Sequence, residues 1–421
     1  FGYLMASFGL DAVRVVVRVR PFIGNEAKEC KSVVRTIPED KVDVYAPQQR
    51  VSTKRVEKLT SEPGWREFPF DHVFGPTDTQ AEVYTVAVKP TIDRFLEGFN
   101  STVFAYGQTS SGKTYTMMGF LEHKEYRGMT PRAIDQMFES IAIAEKKEKH
   151  VILLSYLEIY NEQVKDLLGK DTNLRIRQAK NGKFFVPDLS KHLVTSAVQV
   201  LTLIKKGSKK RSTASTNQNK LSSRSHSILT FHFERGKPTG EKLTIISSKL
   251  NLVDLAGSER FQAESIQRQK ESANINRSLV TLGNVIAALS TPDRGKFVPY
   301  RDSELTKLLC DSLGGNSHTL MIANVNPCDR NVQETLSTLR YASRTKKIKN
   351  KAHKILNPKD AILLKLQREI DALRAKMREK DELIAKLTAA GHVSINRALQ
   401  TPQRDPEGSH EGILPMKGVP E

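Results

Sequence analysis

The fold of this chain is decided by one stretch, Val103-Phe-Ala-Tyr-Gly107-Gln-Thr-Ser-Ser-Gly112-Lys-Thr114. An apolar run comes before Gly107 and a predicted helix follows Thr114, and this context is typical of a phosphate-binding loop rather than a chance match. The glycines allow backbone N–H groups to curl around phosphates at a helix N-terminus. In such a loop Lys113 reaches the β- and γ-phosphates, and the Thr114 hydroxyl ligates Mg²⁺.

The wider pattern predicts a layered α/β domain around this loop. From Asp11 to about Thr345 short apolar runs alternate with helical stretches, as in a mainly parallel sheet flanked by helices. Valines alternate with arginines between Val13 and Arg20, which predicts a strand with one buried face. The apolar positions from Ile275 to Leu289 recur at helical spacing and predict an amphipathic helix.

The composition indicates a folded protein with a polyanionic partner. Hydrophobic residues make up 38% of the chain and charged residues 27%, and the net charge is +19 at pH 7. Such a charge fits nucleic acid, an anionic membrane or an acidic protein surface, and does not choose among them. The chain lacks an apolar run long enough to span a membrane and a secretory signal pattern, so we expect neither export nor membrane insertion.

The cysteines predict no disulfide framework. Cys30, Cys310 and Cys328 are scattered, odd in number and not at the spacing of metal ligands. This pattern fits a reducing compartment.

A second polar segment, Asp254-Leu-Ala-Gly257-Ser-Glu259, ends another apolar run. A γ-phosphate site needs a carboxylate near its metal and a group that senses the last phosphate. We expect Asp254 to hold Mg²⁺ through water. The Gly257 N–H can meet the γ-phosphate because no side chain blocks its approach. The alternative is an ordinary turn between a strand and a loop.

A third polar segment runs from Asn219 to His226. It offers the hydroxyl groups of Ser222 and Ser223 for Mg²⁺ and phosphate, and Arg224 as a partner for a carboxylate. Taken alone, this segment could equally be a solvated loop.

These three segments, in this order, resemble those of a kinesin motor domain, and the resemblance extends from about Asp11 to Thr345. Six shorter segments support it: Arg18-Val-Arg20-Pro21, Phe70-Asp-His-Val-Phe74, Tyr156-Leu-Glu-Ile-Tyr-Asn-Glu162, Asn274-Ile-Asn-Arg-Ser-Leu279, Tyr300-Arg-Asp-Ser303 and Asp311-Ser-Leu-Gly-Gly-Asn316. The resemblance implies a P-loop NTPase fold of three layers, ATP and Mg²⁺ as ligands, and a microtubule-stimulated ATPase that moves along microtubules, toward their plus ends.

The resemblance also implies roles for individual residues. Ser223 would join Thr114 at Mg²⁺, and Arg224 would form a gated pair with Glu259 when the site closes on ATP. The implied catalytic residues are Lys113, Ser222, Ser223, Arg224, Asp254, Gly257 and Glu259. The implied nucleotide-binding residues are Arg18, Arg20 and Pro21 beside the adenine, Tyr84 stacked on it, and Gly107, Gln108, Thr109, Ser110, Ser111, Gly112, Lys113 and Thr114 of the loop.

The segment that faces tubulin in kinesins corresponds to about Asn274 to Leu313. Its basic residues are Arg277, Arg294, Lys296, Arg301 and Lys307. A generic solvated basic face is the alternative interpretation. The sequence departs from the family pattern at two places. The loop after Glu259 is slightly short and lacks glycine, which leaves the strength of microtubule stimulation open. Glu304 stands where a lysine is common, which predicts weaker binding.

The resemblance divides the chain into segments. We expect a cover segment at 1–10, the motor domain at 11–345, a neck linker at 346–358, a neck coiled coil at 359–388, and a disordered tail or start of a missing stalk at 389–421. Ile355 stands where many relatives carry a linker-latching asparagine.

The coiled coil rests on apolar residues at alternating spacings of three and four, as in the neck of heterotrimeric transport kinesins. The seam consists of Leu363, Leu366, Ile370, Leu373, Met377, Ile384 and Leu387, with Lys380 as its one polar member. Glu369 with Arg374, and Lys376 with Asp381, would pair across a homo- or heterodimer. A single amphipathic helix is the alternative.

Two other functions fit parts of the sequence. One is a nucleotide-regulated microtubule-binding kinesin that does not walk, and the other is a chromosome-associated kinesin that also binds DNA. The C-terminal residues 391–421 contain only Arg397, Arg404 and Lys417 as strong bases, which disfavours a DNA-binding tail. We therefore expect a microtubule-associated protein of the cytoplasm and cytoskeleton.

Overall fold

The computed structural model describes residues 12–38, 40–47, 49–53, 56–61, 63–144, 149–170, 173–213, 223–239, 242–259, 266–291, 297–356, 369–370, 372–384 and 386. The chain forms two compact units, Phe1–Lys359 and Asp360–Glu421. The expected cover segment at 1–10 and tail at 389–421 lie outside the described residues.

The strands of the first unit form one large sheet and three small ones. The strands are β1 (Arg14–Val19), β2 (Val34–Ile37), β3 (Lys41–Ala46), β4 (Gln49–Thr53), β5 (Val56–Ser61), β6 (Gly64–Pro69), β7 (His72–Phe74), β8 (Ser101–Tyr106), β9 (Lys149–Tyr160), β10 (Gln163–Asp166), β11 (Arg177–Gln178), β12 (Phe184–Phe185), β13 (His192–Val194), β14 (His226–Thr239), β15 (Lys242–Asp254), β16 (His318–Val325) and β17 (Ile355–Leu356).

The large sheet has the strand order β10-β9-β14-β15-β8-β16-β1-β7, with β13 paired to β9 and β17 to β15. Neighbouring strands from β15 to β7 are parallel, and those from β10 to β15 are antiparallel. Asp254 at the end of β15 is level with Ala105 of β8. Ligands of such sheets bind outside the carboxyl ends of the parallel strands, where the phosphate-binding loop follows β8.

Helices cover both faces of this sheet and complete the three layers. The helices are α1 (Glu26–Glu29), α2 (Gln80–Val83), α3 (Lys89–Leu96), α4 (Lys113–Met117), α5 (Met129–Ala144), α6 (Ala197–Thr213), α7 (Ile266–Ser290), α8 (Glu304–Leu308) and α9 (Val332–Thr345), with a π-helical turn Tyr84–Val88 joining α2 to α3. One buried cluster packs α7, α8 and α9 on the sheet, and another packs α3, α5 and α6 on its opposite face. The predicted α/β fold is confirmed.

Strand β1 is buried on both faces, contrary to the prediction of one buried face. Val15 and Val17 face one cluster and Val16 the other, all without exposed surface. Arg18 is buried and Arg14 half-buried because the helical segment 80–96 covers them. Arg14 donates to the carbonyls of the π-helical turn, and Arg18 donates to the Gln80 side chain.

One disulfide joins Cys30 to Cys328, so the expectation of no disulfide is wrong. The two cysteines are 298 residues apart in sequence, so their spacing could not predict that they pair. They meet because β1 and β16 are adjacent and parallel, so the segments that follow them leave the sheet at the same edge. Cys310 is free and half-buried.

The segment after α9 returns along the sheet. The Ile348 carbonyl accepts a hydrogen bond from the Val13 N–H at 3.0 Å, and the Ile348 side chain is fully buried. Farther on, β17 pairs with β15 at Ile246 and Ser247. The expected neck linker therefore lies on the first unit.

The second unit contains helical residues at 369–370, 372–384 and 386. Leu373, Met377 and Ile384 of the predicted seam are each more than half exposed, while Leu363, Leu366 and Leu387 lie outside the described residues. None of the helices in the described part of the chain is both long enough and apolar enough to span a membrane.

Candidate functional site

The phosphate-binding loop curls back on itself between β8 and α4. Gly107 and Gly112 have φ values of 151° and 98°, and Ser110 has a φ of 64°. A Cβ at Gly107 would collide with the Asn324 carbonyl of the neighbouring strand. The loop therefore needs glycine both for its backbone conformation and for its close approach to the sheet.

Lys113 is held inside this loop. Its ammonium group donates to the carbonyls of Gly107 and Gln108, each at 2.8 Å. Burial lowers the pKa of Lys113, and the carboxylates of Asp254 and Glu259 oppose that shift. An ammonium group has three N–H donors, so these two bonds leave one donor for a phosphate oxygen.

The metal end of the site is built by Thr114 and Asp254. The Thr114 hydroxyl donates to Asp254 Oδ2 at 2.7 Å, and Arg211 lies 4.0 Å from the same oxygen. Asp254 Oδ1 and Ser111 Oγ are buried and find no hydrogen-bond partner among the described residues. Hydroxyl and carboxylate oxygens are the ligands that Mg²⁺ prefers, so these residues fit a Mg²⁺–nucleotide complex.

The segment after Asp254 closes against the phosphate-binding loop. The Glu259 carboxylate accepts hydrogen bonds from the Thr109 N–H, at 2.7 Å, and from the Thr109 hydroxyl. The Gly257 N–H donates to the Ser223 carbonyl at 2.8 Å. A Cβ at Gly257 would collide with Thr109 and Glu259. All three predicted segments therefore meet at one place, as the sequence indicated.

Some of the predicted roles in these segments stay predictions. Ser222 lies outside the described residues. Ser223 and Arg224 are half-buried just before β14, and the gated pair of Arg224 with Glu259 stays a prediction.

The sequence did not reveal that His226 links Ala256 to Ser278. Its Nδ1 accepts the Ala256 N–H at 3.0 Å, so the proton sits on Nε2, which lies 2.8 Å from the Ser278 hydroxyl. Burial, with Arg211 and Lys113 nearby, lowers the pKa of His226 to about 3. The neutral ring thus joins β14, the segment after β15, and α7. Its position after a hydroxyl-rich run was the signal available.

A pocket beside the phosphate-binding loop is lined by Arg18, Arg20 and Pro21, which were expected beside a base, together with Tyr115. The Arg20 Nε donates to the Ser110 carbonyl at 2.7 Å. The Arg18 guanidinium carbon lies 5.3 Å from the centre of the Tyr115 ring, which is 38% exposed.

Tyr84 does not lie where the resemblance implied. Its ring is buried in the core, and its hydroxyl donates to the Gln136 side chain. The expected stacking of Tyr84 on a base is therefore wrong. Tyr115, which directly follows the phosphate-binding loop in sequence, lies beside Arg18 instead.

The kinesin motor domain family matches residues 18–348. The chain belongs to the kinesin motor family. The kinesin-like protein klp-20 of Caenorhabditis elegans is 43% identical over 377 residues, which cover 89% of this chain and 56% of klp-20. A solved structure of a fast kinesin, reported with implications for ATPase mechanism and interactions with microtubules, is 37% identical with a TM-score of 0.72. The match covers 84% of this chain and 96% of that one.

This kinesin spans little more than half the length of klp-20. The matched residues are those of the family's motor domain. The resemblance seen in the sequence is thereby confirmed.

The basic residues expected at the microtubule surface of this kinesin differ in their contacts. Arg277 and Arg301 are exposed, and each makes one hydrogen bond, to the Asp302 carbonyl and the Gln178 side chain. Lys307 is paired with Glu304 at 2.5 Å. The expected residues Arg294 and Lys296 lie outside the described residues.

The bond from Arg301 to Gln178 brings a basic hairpin beside this surface. The hairpin consists of β11, β12 and their connecting turn, and its exposed basic residues are Arg177, Lys180 and Lys183. Sequence reasoning missed it because the hairpin is distant in sequence from α7 and α8. The run of bases between residues 175 and 183 was the available signal.

Proposed function

We propose that this kinesin couples hydrolysis of Mg²⁺-bound ATP to movement toward microtubule plus ends. The observation that carries the proposal is the attachment of residues 346–356 of the expected neck linker to the motor domain. A linker that attaches to the domain and detaches from it can convert changes at the nucleotide site into displacement of whatever follows it.

The linker makes several specific contacts. Asn350 is 2% exposed, and its side chain bonds to Gly314, Ser312 and Ser317 at 2.7 to 2.9 Å. Ile355 pairs with Ser247 through the backbone of β17. Strand pairing thus does in this chain what a side-chain latch does in many relatives.

We assign the nucleotide chemistry to the residues gathered around the phosphate-binding loop. Lys113 and the loop N–H groups bind the phosphates, while the hydroxyls of Thr114 and Ser223, with Asp254 acting through water, hold Mg²⁺. Mg²⁺ supplies neutralisation of the phosphate charge when it is bound. The buried Oδ1 of Asp254 has no hydrogen-bond partner among the described residues, which supports a role for this carboxylate at the metal.

Closure of the site positions the attacking water. Gly257 senses the γ-phosphate through its N–H, and Glu259 exchanges Thr109 for Arg224 as its partner when the site closes. Ser222 contributes a further hydroxyl. Phosphoryl transfer needs little covalent work from the protein, so positioning and charge neutralisation supply most of the catalysis.

The base binds beside Arg18, Arg20 and Pro21 and stacks on the exposed surface of the Tyr115 ring. A guanidinium and an aromatic ring both stack on a purine. The geometry of Arg18 beside the Tyr115 ring supports this placement.

The microtubule surface combines Arg277, Arg294, Lys296, Arg301 and Lys307 with the basic hairpin. Tubulin presents an acidic surface, so binding weakens as salt screens the charges over about 8 Å. The ion pair of Glu304 with Lys307 removes one positive charge from this face, and binding is therefore weaker than it would be with lysine at 304.

Dimers form through the seam at residues 363–387. The exposure of Leu373 and Met377 supports a partner helix on that side. Lys380 in the seam weakens the pairing, so a longer stalk stabilises the dimer. The neck resembles that of heterotrimeric transport kinesins, and we place the protein on microtubules of the cytoplasm.

Two measurements test this function. Microtubules should raise the ATPase rate, and the protein should move polarity-marked microtubules with their minus ends leading, as a surface-bound plus-end motor does. ATPase stimulation without gliding would instead indicate a kinesin that does not walk. Glu259→Ala should retain nucleotide binding and lose the stimulated ATPase, and undiminished stimulation would contradict the role of Glu259.

A further inference from the structure

We propose that Cys30 and Cys328 are a reversible thiol–disulfide pair that controls how fast nucleotide leaves the motor domain. The proposal rests on the proposed function, because the nucleotide whose release is controlled is the one bound at the phosphate-binding loop. Disulfides are rare where glutathione keeps thiols reduced, and those that form there are usually regulatory or catalytic.

The two cysteines are held together by more than the disulfide. The Asp329 N–H donates to the Lys31 carbonyl at 3.0 Å, and the Val33 N–H donates to the Pro327 carbonyl at 2.9 Å. Arg330 pairs with Glu29 at 3.1 Å. These contacts bring the sulfurs together in the reduced protein as well, so the disulfide forms without rearrangement of the backbone.

One side of the pair is connected to the phosphate-binding loop through α1. Cys30 follows α1, and its N–H donates to the Glu26 carbonyl. The Glu26 carboxylate binds the Arg20 guanidinium through two hydrogen bonds of 2.6 and 2.7 Å. Arg20 in turn binds the Ser110 carbonyl of the loop at 2.7 Å.

The other side of the pair reaches the same loop from the opposite direction. The Cys328 carbonyl accepts the Asn331 N–H at 3.0 Å. The Asn331 side chain accepts a hydrogen bond from the Gln108 amide at 2.9 Å. Gln108 and Ser110 flank Thr109 in the loop, so the two connections hold the loop on both sides.

The disulfide therefore ties the two connections to each other. A covalent bond between the segments that support Arg20 and Asn331 restricts the separation of these two residues, and with it the motion of the loop that they hold. Oxidation should slow nucleotide release, and reduction should restore it.

The chemistry is a thiol–disulfide exchange with glutathione disulfide. Cys30 is half-buried and Cys328 is 1% exposed, so the Cys30 thiolate attacks first and releases one glutathione thiolate. The Cys328 thiolate then attacks the Cys30 sulfur and releases the second. The two cysteine thiols lose two electrons and two protons, and these reduce one glutathione disulfide to two glutathione molecules. Excess glutathione reverses both steps.

An open cavity of about 500 Å³ gives small molecules a path toward the pair. It is lined by Ser32 and Pro327, which are close in sequence to the two cysteines, and by Arg20 and Arg35. Its volume is within the range of ligand pockets.

The test compares release of a fluorescent ADP from the chain after equilibration with glutathione or glutathione disulfide. Alkylation followed by mass spectrometry counts the thiols, which should fall from three to one on oxidation. Release should slow about fivefold, the lower end of typical coupling between sites. The control Cys310→Ser should slow equally, whereas Cys30→Ser and Cys328→Ser should not respond.

Several results would overturn the proposal: three thiols at every glutathione ratio, equal release rates in both states, or a slowed Cys30→Ser variant. Bound zinc that protects both thiols from glutathione disulfide would also overturn it, because Asp329 completes a group of three candidate metal ligands. Failure of the proposed function would appear separately, as absence of microtubule-stimulated ATPase in the reduced protein.

Discussion

Replacement of Asn350 by alanine should detach the neck linker while leaving the nucleotide site intact. The Asn350 amide group is buried where the linker crosses the loop after α8. Its Oδ1 accepts the Gly314 N–H at 2.7 Å, and its Nδ2 donates to the carbonyls of Ser312 and Ser317 at 2.9 and 2.7 Å. These bonds exist only when the linker is attached, because detachment returns the same groups to water.

The magnitude follows from these three hydrogen bonds. A net contribution of about 1 kcal/mol for each bond gives about 3 kcal/mol in favour of attachment. Each 1.4 kcal/mol is a factor of ten in an equilibrium constant, so Asn350→Ala should lower the ratio of attached to detached linker about 150-fold. Stability of the rest of the domain should change little, since the linker can detach without unfolding it.

Hydrogen exchange of residues 348–356 and microtubule gliding are the assays. Asn350→Ala should lose amide protection in the linker and most of its gliding velocity, while ATP binding is retained. Lys351→Ala is the matched control, because the Lys351 side chain is exposed and its N–H bond to Gly315 is unaffected. Wild-type protection and velocity in Asn350→Ala would refute the reasoning.

Three further predictions concern the other parts of the molecule. Glu304→Lys should lower the KM for microtubules severalfold at low salt. The decrease in KM should disappear at high salt, because salt screens the attraction between the new lysine and the microtubule. An unchanged KM at low salt would count against the proposed microtubule surface. Tyr115→Ala should raise the KM for ATP about tenfold, the effect of a stacking loss of about 1.4 kcal/mol. Tyr84→Phe should leave that KM unchanged. The reverse pattern would contradict the proposed stacking of the base on Tyr115. His226 and His232 have pKa values lowered to about 3, chiefly by burial, from an ordinary 6.5. Both rings stay neutral in the folded protein, so the fold is stabilised above pH 6.5 and loses this stability as the pH falls below that value, by up to about 1.4 kcal/mol per pH unit for each ring. Urea unfolding at pH 7.5 and 5.5 measures the loss. Equal free energies of unfolding at the two pH values would contradict the lowered pKa values of His226 and His232.

The sequence by itself determined the fold class, the family and the centre of the nucleotide site. The phosphate-binding loop is a contiguous motif whose geometry depends on Gly107 and Gly112, and its strand and helix are adjacent to it in the chain. Asp254 could be placed at the same edge because the ends of parallel strands share one edge of a sheet. Local rules were sufficient for the loop because its glycines, Lys113 and Thr114 are contiguous in the chain.

Only the tertiary structure decided which residues surround that centre. Sequence alone did not show that Tyr84 faces the core while Tyr115 is exposed beside Arg18, because both are tyrosines in helical segments of the same region. Nor did it show that Cys30 meets Cys328. Each of these outcomes depends on which strands are neighbours and which helix covers them, and that is set by the packing of the whole core, to which residues far apart in the chain contribute together.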